Sequence, residues 1–396
     1  MKKLLALLLA LVMVFALAAC GEPATEETTP AGEETTPAGE ETTPAGETTG
    51  FIGISMPTQS LERWNRDGNF LKEQFEAAGY QAELVYSDNE VDQQVSDIQN
   101  LIAQGVDLLV ISAIDGAALN TVMDEAAAND IEVIAYDRLI MNDNVNYYVS
   151  FDNYSVGTLQ GEFLVEALDL ENTTADDPKY IEFTAGDPAD NNAPFFFNGA
   201  MDVLKPYLES GVLVCRSEQT EFDVVATEQW NTDTALDRAQ NILASYYSGG
   251  ERLDAWLCSN DSTALGVTQA VTSDYAGDNT VIITGQDGDV ANLRNIVDGL
   301  QAMTVYKAVA NEADATLDIA KAILAGEPVD QALIDAAGWD FEANLDTETY
   351  TTSDTGHAAT SVLLVPETVT KDNYEEVLVT PGYYEVGDDG YLVAVE

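Results

Sequence analysis

The stretch "IEVIAYDRLI", residues 131–140, runs from an apolar, β-branched strand directly into an acid and a base, Asp137 and Arg138. Its Ile131, Val133, Ile134 and Ala135 show no polar-apolar alternation, the pattern of a strand covered on both faces. Such strands belong to parallel sheets flanked by helices, whose carboxyl ends receive ligands. The "LIMNDN" that follows, residues 139–144, is a loop with no helix for Asp137 to cap. The pair is therefore either an ion pair between lobes or part of a ligand site.

Outward from this strand, short apolar runs alternate with helical patterns. "FIGISM" (51–56), "AELVY" (82–86) and "VDLLVIS" (106–112) read as strands. Between them Val91, Val95, Ile98 and Ile102 fall on one helical face. After "YYVSFDN" (147–153) the alternation restarts with strands "YIEFTAG" (180–186), "VLVCR" (212–216), "DAWLCS" (254–259) and "TVIITG" (280–285), separated by helices. "LQAMTVY" (300–306) and a helix over 308–325 follow. So many βα units exceed one ordinary sheet, which predicts an α/β protein of two doubly wound parallel-sheet lobes. The expected lobes are 51–153 with 303–327, and 154–302 with 328–396.

Residues 1–20 carry Lys2 and Lys3, an apolar run and "LAAC", the plan of a signal peptide too short to span a membrane. "LAAC" resembles the lipobox of bacterial lipoproteins, which implies a lipid on Cys20; ordinary secretion with cleavage nearby is the alternative. Residues 21–50 repeat "EETTPAG" with Pro and Gly in each unit and no apolar pair, so they read as a disordered acidic tether reaching roughly 100 Å at ~3.3–3.6 Å per residue.

The chain has 15 Lys and Arg against 70 Asp and Glu, a net charge of −55. That balance excludes phosphate-backbone binding and attraction to anionic lipid, leaving a lipid as the only membrane attachment. With one His and, beyond Cys20, only Cys215 and Cys258, no zinc set or Ser-His-Asp triad can be assembled, and no cofactor or metal is expected. A doubly wound order places "YIEFTAG" between the strands of the two cysteines, near ten ångströms apart at ~4.8 Å per strand, beyond the roughly 7 Å limit for a disulfide. Both thiols should be free.

The strand ends carry Asp115, Asp137 and Arg138 in the first lobe, then Asn191 and Asn192, Asn260 and Asp261, and Gln286 and Asp287. Asn192, two residues before Pro194, serves equally as a helix cap or a ligand contact. Asp115, Asp261 and Asp287 could likewise cap helices. Carboxylates accept from hydroxyls, and a guanidinium fork spans two adjacent oxygens. Trp64, Phe70, Phe195, Phe196, Phe197 and Trp230 lie close in sequence to these positions. Aromatic faces beside a charged rim suit a neutral pyranose, whereas the excess of acids disfavours an anion.

"SMPTQSLERW" (55–64), "ISAIDG" (111–116), "IAYDRLI" (134–140), "SFDN" (150–153), "GDPADNNAPFFFNGAM" (186–201), "EQW" (228–230) and "GQD" (285–287) occur in the order found in type I periplasmic binding proteins. The chain resembles the multiple-monosaccharide and xylose-binding components of ABC transporters over most of 51–327 and again at 363–384. The "CSND" at 258–261 is less typical, and the acidic segment 335–358 is additional. The resemblance implies lobes joined by a multi-strand hinge, with Arg63, Asp115, Asp137, Arg138, Asn192, Asp261 and Asp287 hydrogen-bonding a sugar and Trp64 and Trp230 packing on it. It implies a monomeric, extracytoplasmic receptor, anchored to the outer face of the cytoplasmic membrane or periplasmic. Such a receptor delivers a monosaccharide of the glucose, galactose, xylose or arabinose class to a permease. The competing classes are a carbohydrate-active enzyme, since paired carboxylates can do glycoside chemistry, a sugar sensor presenting its ligand to a membrane receptor, and a sugar-responsive transcription regulator. The last would need an N-terminal DNA-binding domain where this chain has a signal peptide and tether.

Overall fold

Strand β1 (Phe51–Met56) forms where the first apolar run begins, and α1 (Glu62–Ala77), β2 (Gln81–Tyr86), α2 (Val91–Gln104), β3 (Leu108–Ile111), α3 (Asn120–Ala128), β4 (Glu132–Tyr136) and β5 (Tyr147–Phe151) follow. The structure is a computed structural model describing residues 50–353 and 355–395. The signal peptide, Cys20 and residues 21–49 of the tether lie outside the described residues. β3 is buried at every position, each of its side chains contributing roughly 1.5–3 kcal/mol relative to exposure. One core cluster joins α2 and α3 to one sheet face, and a second joins α1 to the other. The unbroken apolar strands are explained by these two covers.

The second lobe is built from α4 (Asn153–Ala167), β6 (Lys179–Thr184), α5 (Ala193–Glu209), β7 (Leu213–Val214), α6 (Phe222–Val225), α7 (Thr232–Tyr246), β8 (Ala255–Cys258), α8 (Asp261–Asp274), β9 (Ile282–Ile283), α9 (Val290–Asp298) and β10 (Met303–Tyr306). Its parallel sheet runs β7-β6-β8-β9, and Gln286 bridges in parallel to Val305 of β10. β6 therefore separates the strands of Cys215 and Cys258, and both thiols are free and buried. Burial, with Glu182 nearby, pushes the Cys215 thiol up to about 11.

The chain then re-enters the first lobe as α10 (Val309–Ala325), which packs on α1. The expectation that residues 328–396 belong to the second lobe needs correction. After α11 (Gln331–Ala337), β11 (Ala343–Asp346) and β12 (Thr360–Leu364) extend the first sheet, whose order is β11-β12-β5-β4-β3-β1-β2. β5 is apolar on both faces and would otherwise end the sheet with an open edge. The run "TSVLL" pairs with it in parallel, and all but its first residue are buried. Tyr350, from the acidic segment, sits in the same core with its ring 5.0 Å from that of Tyr148. β13 (Glu367–Thr370), antiparallel to β10, the helical turn Glu375–Val379 with its buried Leu378, and the hairpin β14 (Tyr384–Val386) with β15 (Leu392–Ala394) lie with the second lobe, against α9. The chain thus crosses between lobes after β5, β10 and β12.

Candidate ligand-binding site

The parallel strands of both lobes point their carboxyl ends at one cleft. It is lined by Leu61, Arg63 and Trp64 at the start of α1, Asp137 and Arg138 after β4, and Lys307 after β10. The second lobe adds Asp190 and Phe196 around the start of α5, Trp230, Asn260 and Ser262 around the start of α8, and Gln286 and Asp287 after β9. Three cations, Arg63, Arg138 and Lys307, face three carboxylates, Asp137, Asp190 and Asp287. The lining is mixed in sign although the protein is strongly acidic.

Arg63 organises the floor. Its Nη2 donates to Asp137 Oδ2 at 2.6 Å and to Glu312 Oε2 at 3.1 Å, its Nη1 to Asp287 Oδ1 at 3.2 Å, and its Nε to Asp67 Oδ2 at 3.2 Å. Lys307, buried at the crossing from β10 to α10, donates to Asp137 Oδ2 at 2.8 Å. Burial opposes the charge of Asp137, but Arg63 and Lys307 outweigh it and hold the carboxyl well below the usual carboxylate range. Asp190 moves the other way, because its burial exceeds the pull of Arg138, whose Nε is 3.2 Å from Asp190 Oδ2. The Arg63 and Arg138 guanidinium carbons lie 5.0 and 4.9 Å from the Trp64 ring, which braces both cations.

Asp137, Trp230 and Asp287 all have positive φ, at 57°, 54° and 102°. Non-glycine residues adopt such backbone at a cost of about 1–3 kcal/mol, and such strain gathers where side chains must be aimed. The Asp137 turn is held by its own carbonyl, which accepts from Tyr148 Oη at 2.8 Å, Ser150 Oγ at 3.0 Å and Asn192 Nδ2 at 2.5 Å. Trp230 packs over Gly186, where a Cβ would fall 1.9 Å from the indole ring. Its Nε1 donates to Asp190 Oδ2 at 3.3 Å, and Phe196 meets it edge-on at 6.1 Å.

Arg63, Trp64, Asp137, Arg138, Trp230 and Asp287 thus come together from four separate stretches of chain. Three expected residues do not line the cleft. Asp115 closes its own turn, accepting from the Ala117 amide at 2.9 Å. Asn192 makes no side-chain cap on α5 and instead binds the Asp137 carbonyl. Asp261 is fully buried behind the cleft, accepting from the Asp289 amide at 2.9 Å, Gln301 Nε2 at 2.9 Å and Thr304 Oγ1 at 3.1 Å. Its neighbour Asn260 caps α8 through the Thr263 amide and takes the place in the lining. Asp190, Asn260, Ser262, Gln286 and Lys307 were not among the residues expected to touch ligand. Asn260 and Gln286 stand at strand ends, and Lys307 ends "AMTVYK" as Asp137 ends "VIAYD". That strand-end signal was enough to find these three.

Two parallel α/β lobes, joined by three crossings and facing each other across a polar, aromatic-edged cleft, define a solute-binding protein of the two-lobed, hinged class. The chain belongs to the periplasmic binding protein family, whose domain pattern matches residues 52–328. It is 40% identical over 341 residues to the multiple sugar-binding periplasmic receptor of Rhizobium radiobacter, covering 85% of this chain and 91% of that protein. It is 32% identical to the D-xylose-binding periplasmic protein of Escherichia coli over 84% of this chain and 91% of that one. Among solved structures it resembles an ABC transporter solute-binding protein from Clostridium phytofermentans with bound β-D-glucose. The TM-score is 0.77 and the identity 45%, over 86% of this chain and 99% of that one.

Proposed function

We propose that this protein captures a neutral monosaccharide, a hexose or pentose of the glucose, galactose, xylose or arabinose class, and presents it as a monomer to an ABC transporter permease. The observation that carries this reading is the set of paired charges and aromatic rings that line the cleft. Its carboxylates and cations, already engaged with one another, offer acceptors and donors to hydroxyls, and each of Arg63, Arg138 and Lys307 already faces a carboxylate that an anion would have to displace. Relatives named for sugar binding and a related structure holding glucose support the same class.

The space open to the centres of water molecules within the cleft is about 30 Å³, room for very few waters when one needs ~10–15 Å³. A pyranose therefore enters only after the lobes part, and it replaces water and protein contacts on closure. In this reading Cys20 carries a lipid that holds the receptor at the outer face of the cytoplasmic membrane. Lipid labelling that persists after Cys20→Ser would refute the anchor.

Calorimetry with glucose, galactose, xylose, arabinose, a sugar phosphate and a sugar acid tests the ligand class. Micromolar or tighter binding of at least one neutral sugar, with the two anions at least about a hundred-fold weaker, is the expected result. Preference for either anion, or heat from none of the neutral sugars, would overturn the reading.

A further inference from the structure

We propose that Arg66 and Tyr384 form a clasp on the Asp287–Gly288 turn, through which the C-terminal hairpin places the Asp287 carboxylate in the cleft. The inference rests on the reading of the cleft as a monosaccharide site. It makes Arg66 and Tyr384 positioning residues that act through Asp287.

The backbone of this turn is strained, with φ of 102° at Asp287 and 73° at Gly288. A Cβ at residue 288 would stand 2.6 Å from the Tyr306 ring, so the turn is pressed against an aromatic wall. Its amides are satisfied by β10: Asp287 N donates to Val305 O at 2.9 Å and Gly288 N to Thr304 Oγ1 at 3.3 Å. Its carbonyls need other partners, because buried carbonyls are rarely left unpaired. Arg66 Nη2 donates to Asp287 O at 3.2 Å, and Arg66 Nη1 to Gly288 O at 3.3 Å. Tyr384 Oη donates to Gly288 O at 2.6 Å, and Arg66 Nη1 reaches the same hydroxyl.

The two clasp residues come from different parts of the molecule. Arg66 lies one turn along α1 from Arg63, on the same helical face. That one helix therefore holds Asp287 at its carboxylate and at its carbonyl. Tyr384 opens β14, with its ring buried edge-on against Tyr306 at 6.0 Å. Burial pushes its hydroxyl up to about 12. The hairpin is anchored in one buried cluster by Leu392 and by Leu293 and Ile296 of α9.

The test is a double-mutant cycle read by sugar affinity, with the best neutral monosaccharide of the screen. Tyr384→Phe and Arg66→Lys should each weaken binding about ten-fold, while Tyr383→Phe, whose hydroxyl pairs with Asn311 instead, should leave it unchanged. In an Asp287→Asn background the first two changes should add less than about two-fold, since their route to the sugar has been removed. Hydrogen exchange at residues 286–289 should quicken in Tyr384→Phe while residues 135–139 stay as in the wild type, which decides the matter even where a variant binds too weakly to measure. Equal losses in both backgrounds, or unchanged exchange at 286–289, would overturn the clasp while leaving the sugar site standing. A wild-type protein that binds no sugar would overturn both.

Discussion

The side chain of Asn192, at the start of α5, donates to the main-chain oxygen of Asp137 at 2.5 Å, while its own oxygen lies 3.0 Å from Tyr148 Oη, the hydroxyl that donates to the same carbonyl. A residue of the second lobe therefore fixes the strand end of the first, where the backbone is strained. The polar group expected to meet ligand instead holds the one that lines the cleft.

Asn192→Asp should harm this arrangement more than Asn192→Ala. The carboxylate would face the Asp137 carbonyl with two acceptors and no donor, whereas alanine removes one of three donors to that oxygen. A loss of about 1–3 kcal/mol is expected for the aspartate, seen as a lower urea midpoint and weaker sugar binding. An aspartate variant as stable as the wild type would contradict the role assigned to Asn192.

Arg138→Ala should lower sugar affinity roughly ten- to a hundred-fold, or about 1.5–3 kcal/mol. Arg138 braces Asp190 at 3.2 Å, donates to Ala113 O at 3.1 Å and lies over Trp64. The melting temperature without sugar should stay close to that of the wild type, because the side chain belongs to the cleft and to neither core. Its rise on adding sugar should be lost. Unchanged calorimetric affinity would remove Arg138 from the site.

Gly186→Ala probes the aromatic wall. A methyl group 1.9 Å from the Trp230 ring cannot be accommodated without moving the indole. Sugar affinity should fall by at least about ten-fold, and the Trp fluorescence change on sugar binding should diminish. Retention of both signals would mean that Trp230 does not pack on the ligand.

Asp289 supplies a pH test. Burial, with Asp287 and Glu62 adding to it against the pull of Arg66, raises its carboxyl to about 7. A carboxyl raised above its unfolded value of about 3.9 favours the folded state fully below that value, and the contribution is lost as pH rises through the folded one. Relative to Asp289→Asn, the wild type should therefore lose stability between pH 4 and about 7 and then level off. Urea midpoints of both proteins at half-unit pH steps measure this. A wild-type-minus-variant difference that stays flat, or rises, across that window would contradict it.

The alternation of apolar strands and amphipathic helices was legible from periodicity alone, because a strand buried on both faces must be apolar throughout. Asp137 and Arg138 were legible for the same reason: two charges closing such a strand have no core to enter and no helix to cap. The free cysteines also followed, since one strand between their two strands sets a distance no disulfide spans. What the one-dimensional pattern could not hold was the aim of each side chain past its strand end. Asp115, Asn192 and Asp261 look like Asp137 in sequence, yet the first closes a turn, the second holds a carbonyl and the third is enclosed by donors behind the cleft. The return of residues 343–364 to the first sheet was equally hidden, because an open strand edge exists only once β5 has been placed. Composition and local period determine which segments are buried. Only the packing of two lobes against each other decides which polar groups meet, because partners lie far apart along the chain, as Lys307 lies 170 residues from Asp137.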